Sequence, residues 1–185
     1  MQTSTPSKVR TAWKVDPVHS SVEFAVKHMV IATVRGRFGK FDIDVDFDQE
    51  HPDRSSVEAR IDVASIDTRE ADRDKHLRSA DFFAVEKYPE IAFKSKRVEP
   101  LTGKRSRIVG DLTIRDVTRE VVMNAEFTGL AKDPWGKERA GFNAETSINR
   151  KDFGLAWNVA LETGGWLVGD TIKIYIEVEL VKQDH

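Results

Sequence analysis

The chain has 185 residues, 39% of them hydrophobic and 32% charged, with a formal net charge of -2. That length fits one domain able to bury a core without cross-links. Interspersed charges of nearly balanced sign argue against a duplex nucleic-acid binder, which would carry a basic stripe. The absence of cysteine removes disulfides, thiolate nucleophiles and Cys-ligated metals together.

Residues 1–10, MQTSTPSKVR, are polar and read as a flexible arm ahead of a single domain over 11–185. They hold no apolar signal core and no cleavage site, and no run reaches the ~18 apolar residues that span a bilayer. A cytoplasmic location is the expectation.

From there the pattern is strand after strand. In SSVEFAVKHM, Val22, Phe24, Val26 and His28 share one face and Ser21, Glu23, Ala25 and Lys27 the other. FDIDVDF sets Phe41, Ile43, Val45 and Phe47 against Asp42, Asp44 and Asp46, which read as surface charge. SVEARIDVASI places Val57, Ala59, Ile61 and Val63 together, and further strands read at EIAFKSKRV, IVGDLTI, EVVMNAEFTGL and RAGFNAETSIN. In TIKIYIEVELV the residues Ile172, Ile174, Ile176, Val178 and Leu180 form an unbroken inward stripe. EHPDRS, EPLTGKRS and KDPWGKER hold the turn residues of hairpin loops.

One segment leaves the period of two. Across residues 67–88, Leu77, Ala80, Phe83 and Ala84 fall at helical offsets, and Pro89 ends the run. A short connecting helix near 68–86 is predicted, with Asp74 paired to Arg78 one turn on and the charges on its solvated side. About eight strands, each with one apolar face, ask for an all-β antiparallel sheet closed into a barrel. Such a barrel either fills with its own side chains or holds one slender guest.

Catalytic and metal patterns are weak. Asp16, His19 and Ser20 imitate a triad, but adjacent strand residues point to opposite faces, so His19 is badly placed to deprotonate Ser20. No nucleophile elbow, phosphate-cradling loop or paired metal-ligand motif occurs. A cross-strand metal site from His19, His28 and His76 is left open by spacing alone. His28, on an apolar face, reads first as a core histidine and second as a ligand contact. The expectation is therefore no catalytic residue, no metal and no cofactor.

Apolar surface is what the strands supply. In a hollow barrel the side chains expected to touch a guest are Phe24, Val26, His28, Phe38, Phe41, Phe82, Phe83, Phe93, Leu112, Ile114, Phe127, Phe142 and Trp157. Each buried methylene contributes ~0.8 kcal/mol, so roughly ten carbons give about 8 kcal/mol gross.

The stretches WKVDPVHSSVEFAVKHM, VRGRFGKFD, SIDTREADRDKHLRSADFF, YPEIAFKS, GDLTIRDVTREV, DPWGKERAGFNAE and NRKDFG, in that order, resemble the YceI-like family of polyisoprenoid-binding proteins over about residues 13–182. The resemblance implies an extended, eight-stranded, lipocalin-like barrel with an interior channel, and a homodimer. It also implies a bound long-chain isoprenoid or similar amphiphile (a polyprenyl phosphate, a quinone tail or a fatty amide) held for transport, storage or sequestration. The family offers no catalytic residues to carry over. It places Phe82 and Phe83 toward the barrel. In HMVIATVRGRF, Met29, Val30 and Ile31 suggest a portal, and Arg35 and Arg37, or Arg73 and Arg78, could meet an anionic head group. Two alternatives stand beside this reading: a lipid-modifying enzyme using His28 or His76, and a structural or stress module with a filled barrel.

Overall fold

A computed structural model of the protein describes residues 11–184, so the arm expected at 1–10 lies outside the described residues. The alternating segments form β1 (Thr11–Val15), β2 (Ser21–His28), β3 (Ala32–Phe38), β4 (Phe41–Phe47), β5 (Ser56–Asp62), β6 (Ile66–Asp67), β7 (Glu90–Pro100), β8 (Arg105–Ile114), β9 (Val117–Lys132), β10 (Glu138–Asn149) and β11 (Val168–Lys182). Every pairing is antiparallel, and β11 closes the ring onto β1 and β2.

Eleven segments make an eight-stranded closed barrel because three strands are each broken once. β11 pairs with β1 at Val15↔Leu180 and with β2 at Ser21↔Glu177, so β1 and β2 are one strand interrupted by a 3-10 turn at Pro17–His19. β3 and β4 part at Gly39 and Lys40, and β5 and β6 part at a second 3-10 turn, Val63–Ser65. The latter two breaks are tied together. Gly39 N donates to Ser65 O at 3.1 Å, Lys40 N to Ser65 Oγ at 3.0 Å, and Asp62 N to Lys40 O at 3.0 Å. The result is a crease where the wall changes direction while these backbone groups stay paired.

Beyond the crease β6 pairs only with β3, and β7 pairs with β5 only as far as Asp62↔Glu90. Residues 71–89 take over as wall there. The predicted helix is shorter than expected: α1 covers Ala71–Arg78, and residues 79–88 follow as successive turns. Ser79 ends it, its Oγ donating to His76 O at 2.6 Å, and Ala84 adopts φ 49°. Of the apolar residues at helical offsets, Leu77 reaches the core from the helix and Phe83 from the turns, with Phe83 N bonded to Leu77 O and Val85 N to Arg78 O, whereas Ala80 is exposed.

The expected Asp74–Arg78 pair is also replaced. Asp74 is buried and accepts from Thr68 N at 2.9 Å and Thr68 Oγ1 at 2.5 Å. Capping a buried amide is worth more than an exposed ion pair. Arg78 donates to the carbonyls of Ala64 and Ile66, and Arg73 to Thr68, so both arginines hold the helix to the crease. Among the described residues no helix is long and apolar enough to cross a membrane.

Candidate functional site: the barrel interior

The inward faces of the strands enclose a cavity of about 500 Å³, within the ordinary range for small-molecule sites. The barrel is therefore not filled by its own side chains. Period-two alternation builds the lining: the stripe Ile172, Ile174, Ile176, Val178 and Leu180 runs along one wall, and Ile108, Leu112 and Ile114 along another. Polar groups are confined to the ends and to a few wall positions such as Thr146.

Ten of the side chains expected to meet a guest line this space. Phe24, Phe38, Phe82 and Phe83 gather beside the crease, Val26, Phe93, Leu112 and Ile114 stand in the walls, and Phe127 and Phe142 lie toward the opposite end. The other three are elsewhere. Phe41 is half-buried and packs against two parts of the core, one around Phe38 and Phe93 and the other around Trp13 and Leu180. Trp157 backs Phe82, ring centroids 5.4 Å apart, and meets the His76 ring at 4.6 Å. His28 is half-buried at the end of β2, opposite Ala32 and Val168, and does not line the cavity.

Arg35 and Arg37 stand on the outer face of β3, because Val34, Gly36 and Phe38 take the inner positions. Arg37 Nη2 lies 3.6 Å from the Asp67 carboxylate. Neither arginine points into the cavity.

Sequence reasoning missed three features of the lining. Phe47 stacks with Phe127 and Phe142 at centroid distances of 5.3 and 5.0 Å, making an aromatic ring flanked by Lys104, whose Nζ lies 6.0 Å over Phe127. Its signal was the same alternation that exposed Phe41. The β11 stripe was legible as an inward face, though not as contact surface. Arg150, inside NRKDFG, had no local signal.

Arg150 is only 2% exposed and lies against the cavity at the end away from Phe47. Its Nε donates to Gly169 O at 2.8 Å, Nη1 to Leu155 O at 2.5 Å and Trp157 O at 3.0 Å, and Nη2 to Val168 O at 3.3 Å. The Asp170 carboxylate is 3.8 Å away. Burial pulls the guanidinium below its ordinary pKa, yet it stays charged, since such groups titrate far above neutral pH. One cation thus organises the connection that covers this end.

The polar clusters lie outside the cavity. His19 Nδ1 is 2.9 Å from Asp16 Oδ2, and His76 Nε2 is 2.9 Å from Asp81 Oδ2. No histidine among the described residues lines the interior. His19, His28 and His76 do not converge; the grouping with metal-compatible spacing is Asp16, His19 and Glu179. Arg139 already occupies it, donating to Asp16 at 2.8 Å, Glu179 at 2.7 Å and Asp133 at 2.9 Å. Ser20 Oγ accepts from Glu179 N rather than approaching His19, so the apparent triad is not assembled.

Comparison with known proteins follows the same lines. A family model described as the YceI-like domain matches residues 13–180. The chain is 38% identical over 170 residues to a UPF0312 protein of Staphylococcus epidermidis, spanning 91% of this chain and 96% of that one. The crystal structure of the Campylobacter jejuni YCEI protein superposes with a TM-score of 0.73 at 34% identity, covering 85% of this chain and 90% of its own. A polyisoprenoid binding domain from Saccharophagus degradans, implicated in plant cell wall breakdown, superposes at 0.71 with 12% identity, covering 94% and 100%. That last likeness is one of fold.

Proposed function

The chain belongs to the YceI-like family, and from that premise we propose that its barrel holds one long apolar chain, an isoprenoid or similar amphiphile, without transforming it. The observation that carries this reading is the cavity of about 500 Å³ walled by aliphatic and aromatic side chains. Such a surface has nothing to offer a small polar substrate. Against a hydrocarbon it returns ~0.8 kcal/mol for each methylene taken from water, enough over ten or more carbons to offset much of the association cost. The fold is shared with a domain described as polyisoprenoid binding, so the architecture is compatible with such a guest. Polar side chains at the two ends, Gln49, Ser55 and Lys104 at one and Arg150 at the other, leave room for a head group beyond an apolar middle. The reading extends to transport, storage or sequestration of the guest by a cytosolic homodimer, which light scattering and cell fractionation check.

Native mass spectrometry of the purified protein, followed by organic extraction, tests the proposal. The expected result is an intact prenyl or fatty guest released on denaturation. A chemically altered product would favour a lipid-modifying enzyme. A protein that carries nothing and fails to take up a polyprenyl probe would end the carrier reading.

A further inference from the structure

Two turns at one end of the barrel expose apolar side chains side by side. The β2–β3 turn presents Met29, Val30 and Ile31, with Val30 64% and Ile31 84% exposed, and the connection into β11 presents Val159 and Trp166, the latter 54% exposed. The turns are joined. Met29 N donates to Leu167 O at 2.9 Å, and Gly165 packs so near Val30 that a Cβ there would stand 2.8 Å from Val30 Cγ2. Met29 and Val30 both have positive φ, 51° and 68°, costly for a β-branched side chain where glycine or asparagine would fit freely. Neither backbone preference nor core packing accounts for apolar residues at these tips.

Charge behind the tips is predominantly positive. Lys173 and Arg35 flank Ala25 on the neighbouring strands, and Lys27 is the next outward residue of β2. Lys151 lies with its Nζ 6.0 Å over the Trp166 ring. Acids also stand at this end: Glu162, Asp152 beside Lys151, and Asp170, which Lys151 already engages at 3.3 Å.

We propose that this end of the barrel docks on the surface of a lipid bilayer containing anionic lipid, with Met29, Val30, Ile31, Val159 and Trp166 entering the interface and the collar of Lys27, Arg35, Lys151 and Lys173 facing the phosphates. Apolar and aromatic tips backed by Lys and Arg are the arrangement that an interface between hydrocarbon and charged head groups stabilises. Charge selects the bilayer over a second copy, because a symmetric dimer through this patch would set like cations against each other. Val26 and Val168, just inside the tips, line the cavity, so docking brings the interior close to the acyl layer. Guest transfer by that route rests on the proposed function; the docking itself does not.

Flotation with phosphatidylcholine vesicles, with and without phosphatidylglycerol, tests docking. The wild-type chain is expected to float with the anionic vesicles and much less with neutral ones. The double variant Ile31→Glu/Trp166→Glu is expected to stay unbound, and Lys27→Gln and Lys173→Gln each to weaken binding roughly fivefold. All four positions are exposed, so thermal unfolding should be unchanged. Uptake of a hydrophobic fluorescent probe by the double variant separates loss of docking from loss of the cavity. A wild-type chain that ignores anionic vesicles, or a double variant that floats equally well, overturns the proposal. So does a concentration-dependent dimer abolished by the same substitutions, which would assign the patch to a second copy.

Discussion

The tip of the Phe24 ring occupies the space a side chain on Gly36 would need: a Cβ there would stand 2.4 Å from Phe24 Cζ. Phe93 uses Gly110 the same way, at 2.6 Å. Both glycines hold inward positions, between Val34 and Phe38 on β3 and between Ile108 and Leu112 on β8. The bare backbone lets each ring settle against the wall instead of projecting into the lumen. Gly36→Ala is expected to push Phe24 inward, lowering stability by about 1–3 kcal/mol in urea unfolding and weakening uptake of a hydrophobic probe. Unchanged probe affinity would show that Gly36 does not set the width of the lumen.

The waist of the barrel can be closed on purpose. Ala144 pairs with Ala125 on one side and Ile176 on the other, and all three line the cavity. In Ala144→Phe the added ring grows into open volume rather than into packed neighbours. Stability should therefore change by less than about 1 kcal/mol. Displacing two or three methylenes of a guest costs about 2 kcal/mol, so probe affinity should fall roughly thirtyfold. Equal affinity in titration calorimetry would place the guest outside the barrel.

Much of this architecture was legible in the residues, and the exceptions share a cause. Strict alternation identifies inward faces, so the β11 stripe and most of the expected aromatics reach the lining. Alternation also implies that Arg35 and Arg37 point outward once Phe38 points in. Their charge and their closeness to Met29 suggest a portal, but their parity places both side chains outside the barrel. The short helix and the clamp at Arg150 depend on side-chain bonds to backbone outside any regular repeat: Asp74 turns back to Thr68, and Arg150 gathers carbonyls as far off as Gly169. No local period encodes such contacts. Trp157 looked like cavity wall because aromatic character does not distinguish a lining ring from the ring behind it.

Arg150 supplies a sharper test of contacts of that kind. Replacing it with Met keeps much of the volume but takes this donor from the carbonyls of Leu155, Trp157 and Gly169, while Val168 O keeps its bond from Asn158 Nδ2 at 2.7 Å. Each buried, unmatched acceptor costs about 1–3 kcal/mol, less whatever water recovers. Arg150→Met is expected to lose at least about 3 kcal/mol, with residues 155–169 exchanging amide hydrogens faster than the rest. Arg150→Lys should rescue little, because a compact ammonium cannot span carbonyls arranged for a planar fork. A lysine variant as stable as wild type would contradict the clamp.

The break between β1 and β2 should respond to pH in two directions. Asp16 is held down to about 2 from an ordinary 3.8, first by its bond to His19 and then by Arg139, and the same bond raises His19 above 6.5. A depressed carboxylate stabilises fully above its unfolded pKa, and that contribution is lost as pH falls toward 2. A raised imidazole stabilises fully below its unfolded pKa, and loses its contribution as pH climbs through the higher folded value. The Asp16–His19 pair therefore helps most between about pH 4 and pH 6. Measured as wild type minus Asp16→Asn, the stability difference should peak in that window. Above it the difference should decline to a plateau, since Arg139 still holds the carboxylate, and it should vanish near pH 2. A profile that stays level from pH 3 to pH 8 would mean that His19 contributes nothing to holding the two half-strands in line.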